Sequence, residues 1–153
     1  MKTIIVICVV LVTLATVWGH HHHEHTDEDY VVKTREDLFK YRDECSNKLN
    51  VPADLLEKYK KWQYPDDEVT RCYMKCMFEL FGFFNEKQGF DVHKIHKQLM
   101  GAHGTVDHSD ETHEKIAKCA DKKPEDTDPC AWAYRGGVCF INSNLQLVKS
   151  SVN

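Results

Sequence analysis

After its first nineteen residues, the sequence lacks any apolar run that approaches the roughly 20 residues needed to span a membrane. It also lacks a basic stripe, because Lys and Arg are interleaved with Asp and Glu and the formal net charge is -4. Nucleic-acid binding needs a basic surface, so this charge pattern argues against it. We therefore expect a protein that neither spans a membrane nor binds nucleic acid.

Catalytic motifs are missing as well. The chain has no glycine-rich phosphate loop, no GxSxG elbow and no HExxH motif. His93 could act as a catalytic base with Asp91 or Glu114 as its carboxylate partner. Such His–carboxylate pairs are, however, common on polar helical surfaces. We predict that the protein is not an enzyme and uses no cofactor, and an enzyme acting on lipids is the least favoured alternative.

The N-terminus has the features of an export signal. Lys2 supplies the positive start, residues 4–17 form the apolar run, and Gly19 is a small residue at a cleavage site. We predict a signal peptide over residues 1–19 and a secreted, extracellular protein. Residues 20–29 contain only His, Glu, Asp and Thr, which predicts a disordered leader.

The leader also carries a candidate metal site. If cleavage follows Gly19, the free amine and His22 would form a square-planar site for Cu(II) or Ni(II), with His20 and His21 beside them. Adventitious binding is the simpler interpretation, so we assign no metal to these three candidates.

The rest of the chain has helical periodicity almost throughout and no alternating strand pattern. After Asp66, apolar residues recur at steps of three and four from Val69 to Phe84, which predicts a central helix, helix three. Capping residues and prolines mark other helix starts, as Ser109 does for helix five. The six predicted helices cover about residues 34–48, 52–62, 66–84, 91–101, 109–120 and 128–141. We predict an all-α, disulfide-stapled domain at residues 30–142 and a tail at 143–153.

Seven cysteines are present, and one of them lies inside the predicted signal. The other six form an even set in an oxidising compartment, which predicts three disulfides. Cys72 and Cys76 lie one turn apart on the same helical face and are poorly placed to bond to each other. Of the 15 pairings of six cysteines, 12 remain open, and each ties helix three to two other parts of the chain. Zinc binding is the alternative, but structural zinc motifs usually place cysteines closer together.

The cysteine spacing resembles a known signature. The gaps between the six cysteines are 26, 3, 42, 10 and 8 residues. This order is similar to that of insect odorant-binding proteins, in which the three-residue and eight-residue gaps are fixed. Residues 71–76 and 89–91 also resemble that family. The resemblance covers roughly residues 31–141 and is closest to fly members with one six-cysteine domain.

The resemblance implies a pairing of first with third, second with fifth and fourth with sixth cysteine. The implied bonds are Cys45 to Cys76, Cys72 to Cys130 and Cys119 to Cys139. It also implies six helices around a buried apolar cavity and a carrier that moves a small hydrophobic ligand through aqueous fluid. The ligand would be an odorant, a pheromone or a fatty-acid-like molecule. A monomer or weak dimer, with a membrane chemoreceptor as candidate partner, is expected on the same ground.

The candidate pocket residues are apolar and aromatic side chains on the predicted helices three to six. They are Tyr73, Met77, Phe81, Phe84, Leu99, Ile116, Trp132, Tyr134, Val138 and Phe140. Such a stripe is more often solid core than cavity, and only the resemblance favours a cavity. The alternative is a secreted metal-binding or partner-binding module without a ligand cavity.

Five histidines lie within a short span, at His93, His96, His103, His108 and His113. Histidine is the side chain that most readily gains a charge between pH 5 and 8. Protonation would make neighbouring turns repel each other, which would open the pocket in acid. The alternative is a set of solvated surface residues that titrate in the ordinary way.

Overall fold

The computed structural model describes residues 30–121 and 128–152. The predicted signal peptide, the histidine-rich leader and the candidate ligands His20, His21 and His22 lie outside these residues. Seven helices and one short hairpin are present in the described part of the chain. The helices are α1 (Arg35–Leu49), α2 (Ala53–Lys60), α3 (Glu68–Phe81), α4 (Val92–Met100), α5 (Glu111–Cys119), α6 (Pro129–Ser143) and α7 (Leu145–Ser150). The strands β1 (Phe84–Asn85) and β2 (Gly89–Phe90) pair in antiparallel fashion.

The predicted all-α class is confirmed, with differences at two places. Helix α3 ends at Phe81 rather than Phe84, because Gly82 takes the left-handed conformation with φ 78 and stops the helix. Phe84 begins the hairpin instead. The second difference is α7, which lies in the predicted tail and makes a seventh helix. No helix among the described residues is both long enough and apolar enough to cross a bilayer.

Aspartate side chains start four of the helices. Asp67, Asp91, Asp110 and Asp128 each accept a hydrogen bond from a backbone N–H three residues further on, at α3, α4, α5 and α6. Such a cap contributes about 1 kcal/mol. The prediction that Ser109 starts helix five is wrong, because the Ser109 hydroxyl donates to the Asp107 carboxylate instead, at 2.6 Å.

Three disulfides join the helices around α3. Cys45 to Cys76 ties α1 to α3, Cys72 to Cys130 ties α3 to α6, and Cys119 to Cys139 ties α5 to α6. This is the pairing that the resemblance implies. The bonds span 31, 58 and 20 residues of sequence, and in the chain-entropy model each closure contributes about 3 to 4 kcal/mol. Four helices are thereby fixed relative to one another.

Two consecutive glycines let α6 pack closely on its neighbours. A Cβ atom at Gly137 would overlap the ring of Phe78 on α3, and one at Gly136 would overlap the ring of Phe90. Glycine in a helix interior costs about 1 kcal/mol relative to alanine. Here the absence of a side chain at these positions allows α6 to approach α3 closely, which offsets the cost.

Candidate functional site

An apolar cavity of about 50 Å³ lies inside the helices. Side chains from α1, α3, α4, α6 and α7 form its wall, together with residues that follow α2, α3 and α7. The lining residues are Leu38, Trp62, Tyr64, Met74, Met77, Phe78, Phe81, Phe83, Ile95, Gln98, Leu99, Phe140, Ile141, Val148, Ser151 and Val152. Almost all of them present apolar atoms, so the cavity is suited to an apolar molecule rather than to an ion.

The cavity is small for a ligand site. Its volume is enough for about three water molecules, whereas pockets for drug-sized ligands have volumes of about 300 to 1,000 Å³. A molecule with a long chain or a ring would therefore enter only if lining side chains moved. Met74 and Met77 are suited to such movement, because methionine is unbranched and has three rotatable side-chain bonds.

Four of the ten predicted pocket residues line this cavity. They are Met77, Phe81, Leu99 and Phe140. Each lies on the inward face of its helix, and each is buried.

The other six predicted residues lie elsewhere. Tyr73 lines a separate outer groove and stacks on Tyr59, with ring centroids 4.3 Å apart. Phe84 of β1 packs edge to face on Trp132 of α6, with ring centroids 5.0 Å apart. Ile116 belongs to the hydrophobic core, and Val138 is partly buried against that core. The Tyr134 hydroxyl donates to the Tyr64 carbonyl at 2.9 Å. Periodicity identified these residues as buried, but it does not separate solid core from cavity wall.

Sequence analysis missed wall residues at both ends of the domain. Leu38 and Trp62 come from the first two helical segments, and Val148 and Val152 come from α7 and its end. Val148 and Val152 are four residues apart, so their spacing already indicated a common helical face.

A buried amide joins both ends of the described chain to the cavity wall. Gln98, which is 2% exposed, accepts hydrogen bonds from the Tyr30 hydroxyl at 2.9 Å and from the Lys33 backbone N–H at 2.8 Å. Its amide nitrogen donates to the carbonyls of Lys33 at 2.9 Å and Ser151 at 3.1 Å. Burial raises the pKa of Tyr30, so its hydroxyl stays protonated and able to donate.

Four of the five histidines form a cluster between α4 and α5. His93 Nδ1 lies 3.3 Å from His108 Nε2, His96 Nδ1 lies 3.3 Å from His113 Nδ1, and the rings of His108 and His113 are 4.7 Å apart. The structure gives the exposed His103 no contact with this cluster. None of the four lines the cavity.

The surroundings of His113 favour its neutral imidazole. Burial lowers the pKa of His113, and the neighbouring His108 and His96 lower it further, while Asp110 acts in the opposite direction. Asp110 Oδ2 lies 3.2 Å from His96 Nε2, although the angles do not make this contact a hydrogen bond. Across the described ranges, no three potential ligands gather in a way that would hold a metal ion.

Comparisons with known proteins agree with the cysteine spacing and the fold. Residues 27–143 match the PBP/GOBP family. The chain is 55% identical over 147 residues to general odorant-binding protein 99b of Drosophila melanogaster, covering 96% of this chain and 97% of that protein. It is 44% identical over 152 residues to general odorant-binding protein 99a of the same species, covering 99% and 97%.

A solved structure shows a similar fold. The D7 protein from Phlebotomus duboscqi superposes with a TM-score of 0.58 over 78% of this chain and 48% of that chain, at 21% identity. The family match covers helices α1 to α6, the hairpin and all six bonded cysteines. Helix α7 lies beyond the matched residues. This chain therefore belongs to the PBP/GOBP family, the insect odorant-binding proteins that its cysteine spacing resembles.

Proposed function

We propose that the protein is an extracellular carrier that encloses a small hydrophobic molecule in its internal cavity and moves it through aqueous fluid. The observation that carries the proposal is an apolar cavity wall on helices that disulfides hold together. Family membership supports it, since the two Drosophila relatives are named as odorant-binding proteins. The resemblance also supports a monomer or weak dimer that delivers its ligand to a membrane chemoreceptor.

Affinity in this proposal comes from removing apolar surface from water. Each Å² of apolar surface removed contributes about 25 cal/mol, and the cavity wall offers few polar groups that would lose hydration. Met77, Phe81, Leu99 and Phe140 are the predicted residues that we propose to contact the ligand. No bond is made or broken in this mechanism, and the two Drosophila relatives are named as odorant-binding proteins.

Export fits the same proposal. The predicted signal peptide would direct the chain out of the cell, and its three disulfides are stable in an oxidising compartment. All six cysteines among the described residues are disulfide-bonded, so zinc binding through these thiolates is not favoured.

A neutral fluorescent probe such as N-phenyl-1-naphthylamine tests the proposal. We expect saturable binding with a dissociation constant on the order of 1 µM, equivalent to about 8 kcal/mol. An apolar alcohol such as 1-dodecanol should displace the probe, whereas a short diol should not. Fluorescence that rises without saturation, or that neither alcohol reverses, would contradict the carrier function.

A further inference from the structure

The histidine cluster between α4 and α5 lies outside the cavity wall and has no part in the carrier function. Its ring nitrogens meet in two pairs, and each pair is separated by 3.3 Å. We call His93 with His108 the outer pair and His96 with His113 the inner pair. The partners are 15 and 17 residues apart in sequence. Folding of the chain therefore creates both contacts.

Hydrogen bonds fix the loop that carries His108. Asp107 Oδ1 accepts one from the Ser109 backbone N–H at 2.8 Å and one from the Ser109 hydroxyl at 2.6 Å. Further back in the same loop, the Gly104 carbonyl accepts a hydrogen bond from Lys97 Nζ of α4 at 2.6 Å. These bonds hold the loop between α4 and α5 against α4, so that His108 lies beside the first turn of that helix.

The separation of 3.3 Å between the paired nitrogens matches two ligands of a tetrahedral metal ion. Zinc binds imidazole nitrogens at about 2.0 to 2.1 Å, so two nitrogens at the tetrahedral angle around it are about 3.3 to 3.4 Å apart. Neighbouring ligands of a square-planar ion at the same bond length are only about 2.9 Å apart. The geometry of the pairs therefore fits zinc better than square-planar copper(II) or nickel(II).

The outer pair is the one that a hydrated ion can reach. His108 is exposed and His93 is partly buried, and their rings are nearly parallel, at 16° with centroids 5.2 Å apart. In the inner pair His96 is fully buried, and an ion bound there would lose most of its hydration, which costs free energy. At the outer pair, water molecules can supply the ligands that the two histidines do not.

The charges around the outer pair favour a cation. Hydrogen bonds from Ser109 lower the pKa of Asp107, and the nearby His96 and His108 lower it further, so this carboxylate is ionised close to the outer pair. Burial lowers the pKa of His113, whose ring centroid lies 4.7 Å from that of His108. At pH 7 His113 is therefore mostly neutral and does not repel a cation bound at the outer pair.

We propose that the outer pair binds one zinc ion through His93 Nδ1 and His108 Nε2, with water molecules as the remaining ligands. Each ligating nitrogen gives its lone pair to the ion, so the hydrogen between the two rings moves to the other nitrogen of its own ring. The ion links the first turn of α4 to the loop before α5 and stabilises the folded chain. This site is independent of the carrier function, because the cluster lies outside the cavity wall.

Thermal unfolding with and without zinc tests the proposal on the purified, disulfide-bonded protein after treatment with EDTA. At pH 7.5, zinc chloride at about 0.5 mM should raise the unfolding midpoint by about 3 °C. Magnesium chloride should not, because magnesium prefers oxygen ligands. The histidines at 20–25 are neighbours in sequence and can bind zinc in the unfolded chain as well, so zinc held there alone does not raise the midpoint. A midpoint that zinc leaves unchanged would overturn the proposal.

Two exposed histidines of the same loop provide matched variants. H108Q removes one ligand and should abolish the zinc-dependent rise, whereas H103Q, outside the cluster, should retain it. Equal rises in the two variants would assign the zinc to other groups and overturn the proposal.

NMR spectra of the imidazole rings in the wild-type protein locate the ion without any substitution. Zinc should shift the resonances of His93 Nδ1 and His108 Nε2 and leave those of the His103 ring in place. This measurement decides the question if H108Q does not fold. Unshifted resonances at His93 and His108 would contradict the assignment.

Discussion

The side-chain amide of Gln98 donates a hydrogen bond to the main-chain oxygen of Ser151, with nitrogen and oxygen 3.1 Å apart. Both residues line the cavity, and the bond joins α4 to the turn that ends α7. The same amide also holds the backbone of Lys33 ahead of α1. One buried polar group thus anchors the two ends of the described chain over the apolar space.

We expect Gln98→Leu to destabilise the protein by about 3 kcal/mol. Leucine has a similar size but leaves the Tyr30 hydroxyl and the Lys33 and Ser151 backbone groups without their partner, and each unsatisfied buried group costs about 1 to 3 kcal/mol. The free energy of unfolding in urea measures the loss. Gln63→Leu, at an exposed position outside the cavity, is the control and should cost less than about 0.5 kcal/mol. Equal effects of the two changes would mean that Gln98 does not anchor the chain ends.

Gly137→Ala should destabilise the protein, opposite in sign to the usual effect of this change in a helix. Alanine favours helix by about 1 kcal/mol over glycine, but its Cβ would overlap the Phe78 ring. Overpacking of a core costs about 1 to 3 kcal/mol, so thermal unfolding should occur at lower temperature. Phe78→Leu in the Gly137→Ala background should recover part of the loss. A stabilising Gly137→Ala would show that α3 and α6 do not pack as described.

The histidine cluster should make stability depend on pH. In the folded protein the pKa of His113 lies below its ordinary value of 6.5. The unfolded chain therefore takes up a proton at this side chain at a higher pH than the folded chain does. Stability is therefore full above pH 6.5 and decreases as the pH falls below it. His96, His93 and His108 add to the effect because their charged forms repel His113, while Asp110 opposes it.

Variants in the cluster test this dependence. His113→Gln should flatten the decline in unfolding free energy between pH 7 and pH 5. His103→Gln, at an exposed site outside the cluster, should leave the wild-type slope unchanged. A slope that survives His113→Gln would assign the acid sensitivity to other groups. The pH dependence of ligand release stays a prediction, since the cluster does not line the cavity.

Local features of this fold were predictable because their causes are local. Apolar spacing after Asp66 and the capping residue Asp128 identify α3 and α6 by the geometry of one helix. The disulfide partners came from the family resemblance, because separations such as that between Cys72 and Cys130 do not restrict the pairing. The boundary of α3 was misjudged because Phe84 continues the helical spacing beyond a glycine that ends the helix.

The composition of the cavity wall depends on how helices meet, and one helix's periodicity does not contain that information. Phe81 and Ile116 are both buried apolar residues, yet only Phe81 faces the cavity. Val148 lines it because α7 packs against α4 and α6, and the sequence has no simple signal for that packing.

Adjacent residues on α7 test most directly whether the cavity is the ligand site. Val148 is 7% exposed and lines the cavity, whereas Leu147 is 40% exposed and does not. We expect Val148→Phe to fill the space and weaken binding of the neutral naphthylamine probe at least tenfold, equivalent to about 1.4 kcal/mol. Leu147→Phe, the matched control, should bind the probe as the wild type does. Unchanged affinity in a folded Val148→Phe protein would contradict the account and place the ligand elsewhere.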